Sequence, residues 1–410
     1  MTAAEAAPGR MAADVGLRQK LFIGLLFLVT FFQGVRAGSV PIPSSLLFCF
    51  AYILLFDPLI PRDIGAVFAT VFTVILLLSA HNSLAASGGM RDFLYIGIVL
   101  ESFVFTICLI DTMRFFSKSD LTRILTILTV SVVLLELVEF LNLFDFDTLF
   151  RPLLTYWDGI ANASYGSNGD YTQRAPGSFG SPTVAGFTTY LLIRSLALVS
   201  GKRWIAYLSA IPLVICAART AVAVFIVWEL AVPILSSRYR MYAIAGVATV
   251  LGLFAASVIY FPEIYEKIYL VSFFIEAYHT GKLTTNDSIV YRLFGLQWAL
   301  SQPLMQWIVG GMTATEMNQF ANNYYTFDSE FVQRTMQFGL IGYGCFLLMN
   351  LCAGFNYRSW DWWFGVAIVA IGSITNYVAT SLIIFPFLVL YNVCLRRHRQ
   401  ELEAPEAAPA

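Results

Sequence analysis

The chain is built from apolar runs that follow one another with little between them, most of them close to the length a helix needs to cross a lipid bilayer. That length is about 20 predominantly apolar residues. Such runs lie near residues 19–36, 43–57, 64–81, 92–112, 121–143, 182–200, 203–218, 219–236, 241–260, 336–355, 360–375 and 377–395. Hydrophobic residues make up 58% of the sequence and charged residues only 12%, against roughly 45–50% and about 25% in a soluble domain. The pattern excludes a soluble globular fold. It predicts an all-α polytopic membrane protein with about a dozen transmembrane helices.

Orientation follows from the cations. With the N-terminus on the cytoplasmic side, fifteen of the 25 Lys and Arg residues fall on that face, Arg18, Lys118, Arg238, Arg396 and Arg397 among them. Nine fall on the other face and Arg194 lies inside a span. The positive-inside rule then places both termini in the cytoplasm. The expected organisation is a cytoplasmic tail over 1–18, a single membrane domain over 19–395 with long outer loops at 144–181 and 261–335, and a second tail over 396–410. The N-terminal tail has no cleavage site followed by a soluble domain, so it is not expected to be a signal peptide. A net charge of −1 gives no reason to expect nucleic acid as a partner. The six cysteines fall in or beside apolar runs without metal-ligand spacing, which reads as packing.

Polar chemistry collects on the outer side in four motifs. Arg174-Ala-Pro-Gly-Ser-Phe-Gly-Ser-Pro-Thr runs into the sixth span, and its Gly and Pro residues force irregular backbone, tolerated at membrane depth where it lines a cavity or is buried in protein. Cys216-Ala-Ala-Arg219-Thr220-Ala joins two spans with almost no loop; Arg219 is either a snorkelling anchor or an anion ligand at a helix N-terminus. Asp287-Ser-Ile-Val-Tyr-Arg292 carries one of the few cations of the large loop, on a solvated helix face or in a site. Tyr324-Tyr325-Thr-Phe-Asp328-Ser-Glu330-Phe-Val-Gln-Arg334 leads into Phe338-Gly-Leu-Ile-Gly342, its carboxylates serving either as a base beside a sugar or as caps of a helix start. Glu101, Glu136, Glu139 and Glu229 sit in apolar spans and read as hydrogen-bonded structural residues. His81 and His279 stand alone, and no cluster has metal-ligand spacing.

At these residues the chain resembles the superfamily of O-antigen ligases and O-antigen polymerases, membrane glycosyltransferases that use polyprenyl-diphosphate-linked glycans. The resemblance is best over residues 170 to 345. It rests on Arg-x-x-Gly-Ser-Phe-x-Ser-Pro at Arg174, Ala-Arg-Thr-Ala at Arg219, the Arg292 helix followed by Gly310-Gly311, and the Phe-Gly-Leu-Ile-Gly that opens the span after the large loop. Ligases of this family carry a histidine near the end of that loop. This sequence has Asp328-Ser-Glu330 there and no histidine closer than His279, which tilts the reading from ligase to polymerase.

The resemblance implies a GT-C-like bundle in the bacterial inner membrane that joins undecaprenyl-diphosphate-linked oligosaccharides on the periplasmic face. It implies no cofactor and no metal, with membrane lipid, a chain-length regulator and a flippase as expected partners. Diphosphate would be held by Arg174, Arg219 and Arg292, whose planar forks suit phosphate. Asp328, with Glu330 as fallback, would take the acceptor proton, and Tyr324, Tyr325 and Arg334 would line the glycan. Alternative expectations are a ligase moving a glycan to lipid or protein, and a lipid-linked oligosaccharide flippase.

Overall fold

The computed structural model describes residues 8–31, 34–37, 40–84, 93–141, 143, 182–216, 218–236, 241, 244–245, 248–249, 252, 295–313, 315–317, 329–375 and 384–403. Five segments, Arg62–Ser83, Leu94–Met113, Lys118–Phe140, Thr183–Ser200 and Glu330–Gly354, are long and apolar enough to cross a membrane. Arg203–Ile215, Thr220–Ile234 and Trp360–Ile374 are shorter apolar helices. These residues belong to a helical membrane protein. The span expected over 241–260 lies mostly outside the described residues.

In chain order the helices are α1 (Pro8–Phe31), α2 (Ser44–Leu55), α3 (Arg62–Ser83), α4 (Leu94–Met113), α5 (Lys118–Phe140) and α6 (Pro182–Ser200). A 3-10 helix over Arg203–Ser209 leads into α7 (Ala210–Ile215), and α8 (Arg219–Phe225) continues through a π turn, Ile226–Ala231, into α9 (Val232–Ser236). Then come α10 (Leu304–Val309), α11 (Glu330–Leu351), α12 (Trp360–Thr375) and α13 (Phe385–Glu403). Three boundaries differ from the hydropathy reading. The first helix stops at Phe31, and Gly34–Ala37 pairs antiparallel with Val40–Pro43, Arg36 opposite Pro41; Gly34, Gly38, Pro41 and Pro43 punctuate this stretch against a helix. The eleventh helix begins at Glu330, six residues earlier than expected, because Ser329 caps it while its polar first turns lower the hydropathy there. The last helix runs on to Glu403 and takes in the basic residues read as a tail.

Helices in lipid gain little from apolar contact alone, so packing and hydrogen bonds decide how they associate. Three of the acidic residues in spans are tied across helices: Ser45 donates to Glu101 at 2.5 Å, Thr189 to Glu136 at 2.6 Å and Tyr190 to Glu229 at 3.0 Å. Arg194, only 7% exposed, lies 3.1 Å from the Glu229 carboxylate and 3.3 Å from that of Asp361. The ring of Phe364 lies under its guanidinium at 4.4 Å and meets Tyr190 and Tyr391 edge-on. Glu229 sits in the π turn, a wider turn that changes which face its residues present.

Ion pairs define one end of the bundle. Arg18 pairs with Asp111, which also accepts from Tyr52 at 2.7 Å. Arg396 reaches Asp63 at 2.7 Å, while Arg397 donates to the carbonyls of Met113 and Phe116 at 2.8 Å each. The starts of α3, α5 and α12 and the ends of α4 and α13 therefore meet at one basic end. Breaking a buried ion pair from one side leaves the other charge stranded. Glu229→Ala is expected to cost about 3 kcal/mol in denaturant unfolding of the detergent-solubilised protein, and a loss under about 1 kcal/mol would show that Asp361 alone suffices for Arg194.

Candidate functional site

The opposite end is organised by the start of α11. Ser329 has extended backbone and its hydroxyl accepts from the amide of Val332 at 3.5 Å, the usual N-cap arrangement. Glu330 follows in the first turn, where the helix dipole favours a carboxylate. It is fully buried and accepts a hydrogen bond from the Ser373 hydroxyl at 2.9 Å. The Ser329 hydroxyl lies 3.4 Å from the Ser373 carbonyl, so the cap region is tied twice to α12.

One turn on, Arg334 is 8% exposed and stacks over the ring of Tyr95 at 4.3 Å. It donates to the Tyr95 hydroxyl and, at 3.0 Å, to the side-chain carbonyl of Gln337. Tyr95 in turn meets Phe338 edge-on at 5.0 Å and Phe346 at 6.0 Å. The cation is therefore held by the first turn of α4 and by its own helix.

At Gly339 the helix breaks, with φ 69° and ψ 176°. A break frees backbone carbonyls, which must find donors when water is excluded. They find them in the segment after α10: the amide of Met312 donates to the Met336 carbonyl at 3.2 Å and that of Gly311 to the Gln337 carbonyl at 3.3 Å. Asn82, near the end of α3, adds its side-chain amide to the Gln337 carbonyl at 2.7 Å. The approach leaves no room for side chains. A Cβ on Gly339 would lie 2.0 Å from the Ile308 carbonyl oxygen, and one on Gly310, itself at φ 83°, would lie 2.4 Å from that of Gln337.

The segment before the break is fixed by apolar contacts. Ala299, Met317, Val332 and Met336 form a small cluster with Trp307 and Phe331 against it, and the Trp307 indole donates to the Ala299 carbonyl at 2.9 Å. Thr313 and Glu316 cap one another: the Glu316 carboxylate accepts from the Thr313 amide at 2.8 Å, and the Thr313 hydroxyl from the Glu316 amide at 3.2 Å. Around the break, Ser79 Oγ, Asn82 Oδ1, Thr335 Oγ1 and Gln337 Nε2 are buried with no hydrogen-bond partner among the described residues.

Of the residues singled out in the sequence, Glu330 and Arg334 come together here, one turn apart on a buried face. Gly310-Gly311 and the Phe338–Gly342 motif, separate in the sequence, are in direct backbone contact. Gly186, in the helix that follows the Arg174 motif, packs so closely on Ala218 of the Arg219 motif that an added Cβ would sit 2.3 Å from its side chain. Arg219 is the first residue of α8, at the end away from Glu229 and Arg194, and only its backbone is described. Arg174, Arg292, Tyr324, Tyr325 and Asp328 lie outside the described residues. Asn82 and Tyr95 were not anticipated; an amide near the end of an apolar helix was the available signal for Asn82. Among the described residues no three His, Cys, Asp or Glu side chains come close enough to hold a metal ion.

No protein-family model matches the chain, and no curated protein matches it either. The fold and the site thus define a class, a helical membrane protein with a broken helix clamped by a glycine-rich segment. Gly339→Ala is expected to lower the melting temperature by several degrees. The left-handed backbone alone costs about 1–3 kcal/mol, and the overlap with Ile308 adds to it. Gly344→Ala, where a Cβ meets nothing within 4 Å, should leave the temperature unchanged or raise it; equal behaviour of the two variants in a thermal scan would remove the clamp.

Proposed function

We propose that the chain is a polysaccharide polymerase of the bacterial inner membrane, joining polyprenyl-diphosphate-linked repeat units on the periplasmic face without a metal. The observation that carries this reading is the contact between Gly310-Gly311 and Phe338-Gly339-Leu340-Ile341-Gly342. Both are elements by which the sequence resembles the O-antigen polymerase and ligase superfamily, and their pairing is a reason for each to be there. Two further candidates of the resemblance stand close by in sequence: Arg292 is seven residues before Ala299 of the cluster and Asp328 directly precedes Ser329.

In the proposed reaction an acceptor-sugar hydroxyl attacks the anomeric carbon of the donor glycan. The new glycosidic bond forms as the bond to the diphosphate breaks, and polyprenyl diphosphate leaves with the bonding electrons. Arg174, Arg219 and Arg292 hold the charge that builds on it. Asp328 accepts the hydroxyl proton. Tyr324 and Tyr325 line the glycan, while Glu330 and Arg334, buried against Ser373 and Tyr95, position the start of α11 beneath it.

The location of the break favours this reading over transport. Asn82, which meets it, lies twenty residues along α3 from Arg62 at the basic end, or about 30 Å. That is a full bilayer core away, whereas transporters break helices near the midplane. The substitution of Asp328-Ser-Glu330 for a ligase-type histidine favours polymerase over ligase.

The test is to give the purified full-length protein lipid-linked repeat units and nothing else. A ladder of chain lengths is the expected product, and a folded, inserted protein that makes none would overturn the proposal. Arg219→Lys and Arg219→Ala should each lower the rate by about 10²–10³-fold; near-normal polymer from the lysine variant would exclude Arg219 from the site.

A further inference from the structure

A cavity of about 370 Å³ opens at the basic end, between the last turn of α4 and the C-terminal half of α13. Ile110, Met113 and Val393 form its apolar wall, and Arg114, Arg396 and Arg397 its polar one. Glu401, also on the wall, accepts from Arg397 at 3.0 Å and lies 3.9 Å from the Lys118 ammonium. Asp63 engages Arg396. Four cations thus face two carboxylates. Arg396 and Arg397 are held in place by these partners and by the Met113 and Phe116 carbonyls, while Arg114 is exposed and makes no ion pair with a described residue.

We propose that this cavity binds the headgroup of an anionic phospholipid. The phosphate would meet Arg114 and the fixed guanidinium of Arg396, whose forks match phosphate oxygens. The glycerol and first methylenes would lie along Ile110, Met113 and Val393. Ile110 and Met113 belong to the last turn of an apolar span, so the cavity straddles the boundary at which a lipid changes from chain to headgroup. Basic pockets between helices at a membrane surface take such headgroups. A soluble phosphate ester would find the charges but make no use of the apolar wall, which is why a lipid is the occupant.

The experiment uses the full-length protein, stripped of lipid in a neutral detergent and titrated separately with phosphatidylglycerol, phosphatidylethanolamine and glycerol 3-phosphate. Thermal stability and lipid retention in native mass spectrometry are read together. Phosphatidylglycerol should stabilise and be retained, phosphatidylethanolamine should bind several-fold more weakly, and glycerol 3-phosphate should not bind at matched concentration. Arg114→Ala, at an exposed position, should fold normally and weaken phosphatidylglycerol binding about fivefold. Arg123→Ala, an exposed arginine outside the cavity, should change nothing. Equal affinity of wild type and Arg114→Ala, equal weakening by Arg123→Ala, or binding of glycerol 3-phosphate as tight as the lipid would each overturn the assignment.

Discussion

A carbonyl released from a helix where the fold excludes water has to find another donor, and leaving one unmet costs several kcal/mol. The break at Gly339 releases carbonyls at Met336 and Gln337, and three donors from two other parts of the chain meet them. That requirement places α10 and the residues after it against α11, and brings the end of α3 to the same level. Glycine at 310 and 339 is the condition for it, since any side chain would push the backbones apart beyond hydrogen-bonding distance.

The two ends of the bundle solve the problem of buried polarity differently. At the basic end charges are matched to charges: Arg18 with Asp111, Arg194 with Glu229 and Asp361, Arg396 with Asp63. Around the break the polar atoms are largely hydroxyls and amides, several of them buried without a partner among the described residues. An ion cluster whose charges neutralise one another favours a fixed structure, and Arg114 beside it, which makes no ion pair with a described residue, adds a cation that the cluster does not neutralise.

Much of the helical layout was legible because hydropathy is a local property. The span expected at 64–81 falls within a helix four residues longer, the one expected at 92–112 is a helix over Leu94–Met113, and the one expected at 182–200 coincides with its helix; Glu101, inside the second, is hydrogen-bonded across to Ser45. Glu330, Arg334 and the two glycine motifs were visible as polar or flexible residues where an apolar chain has no need of them. What could not be read was their pairing. Asn82 and Gln337 are 255 residues apart, and nothing in either neighbourhood names the other. Arg194 was no more legible: an arginine in a span declares a cost, but its partners at Glu229 and Asp361 come from two other helices. The early hairpin was missed because Val35, Val40 and Ile42 weigh as apolar in any window, although the prolines and glycines among them forbid a helix.

The clamp also bears on how such a site could work. Movement of the Leu304–Met312 segment away from α11 would expose two backbone hydrogen bonds and the packing of Trp307 and Met312 against the cluster that holds Val332 and Met336. It would also remove the 3.5 Å contact of the Asn82 side-chain amide with the Met312 carbonyl, while its bond to the Gln337 carbonyl stays. Opening at that point is therefore costly, because it strands backbone carbonyls that α11 cannot satisfy by itself. Rigidity in this place fixes the start of α11, which carries Glu330 and Arg334, relative to the end of α3.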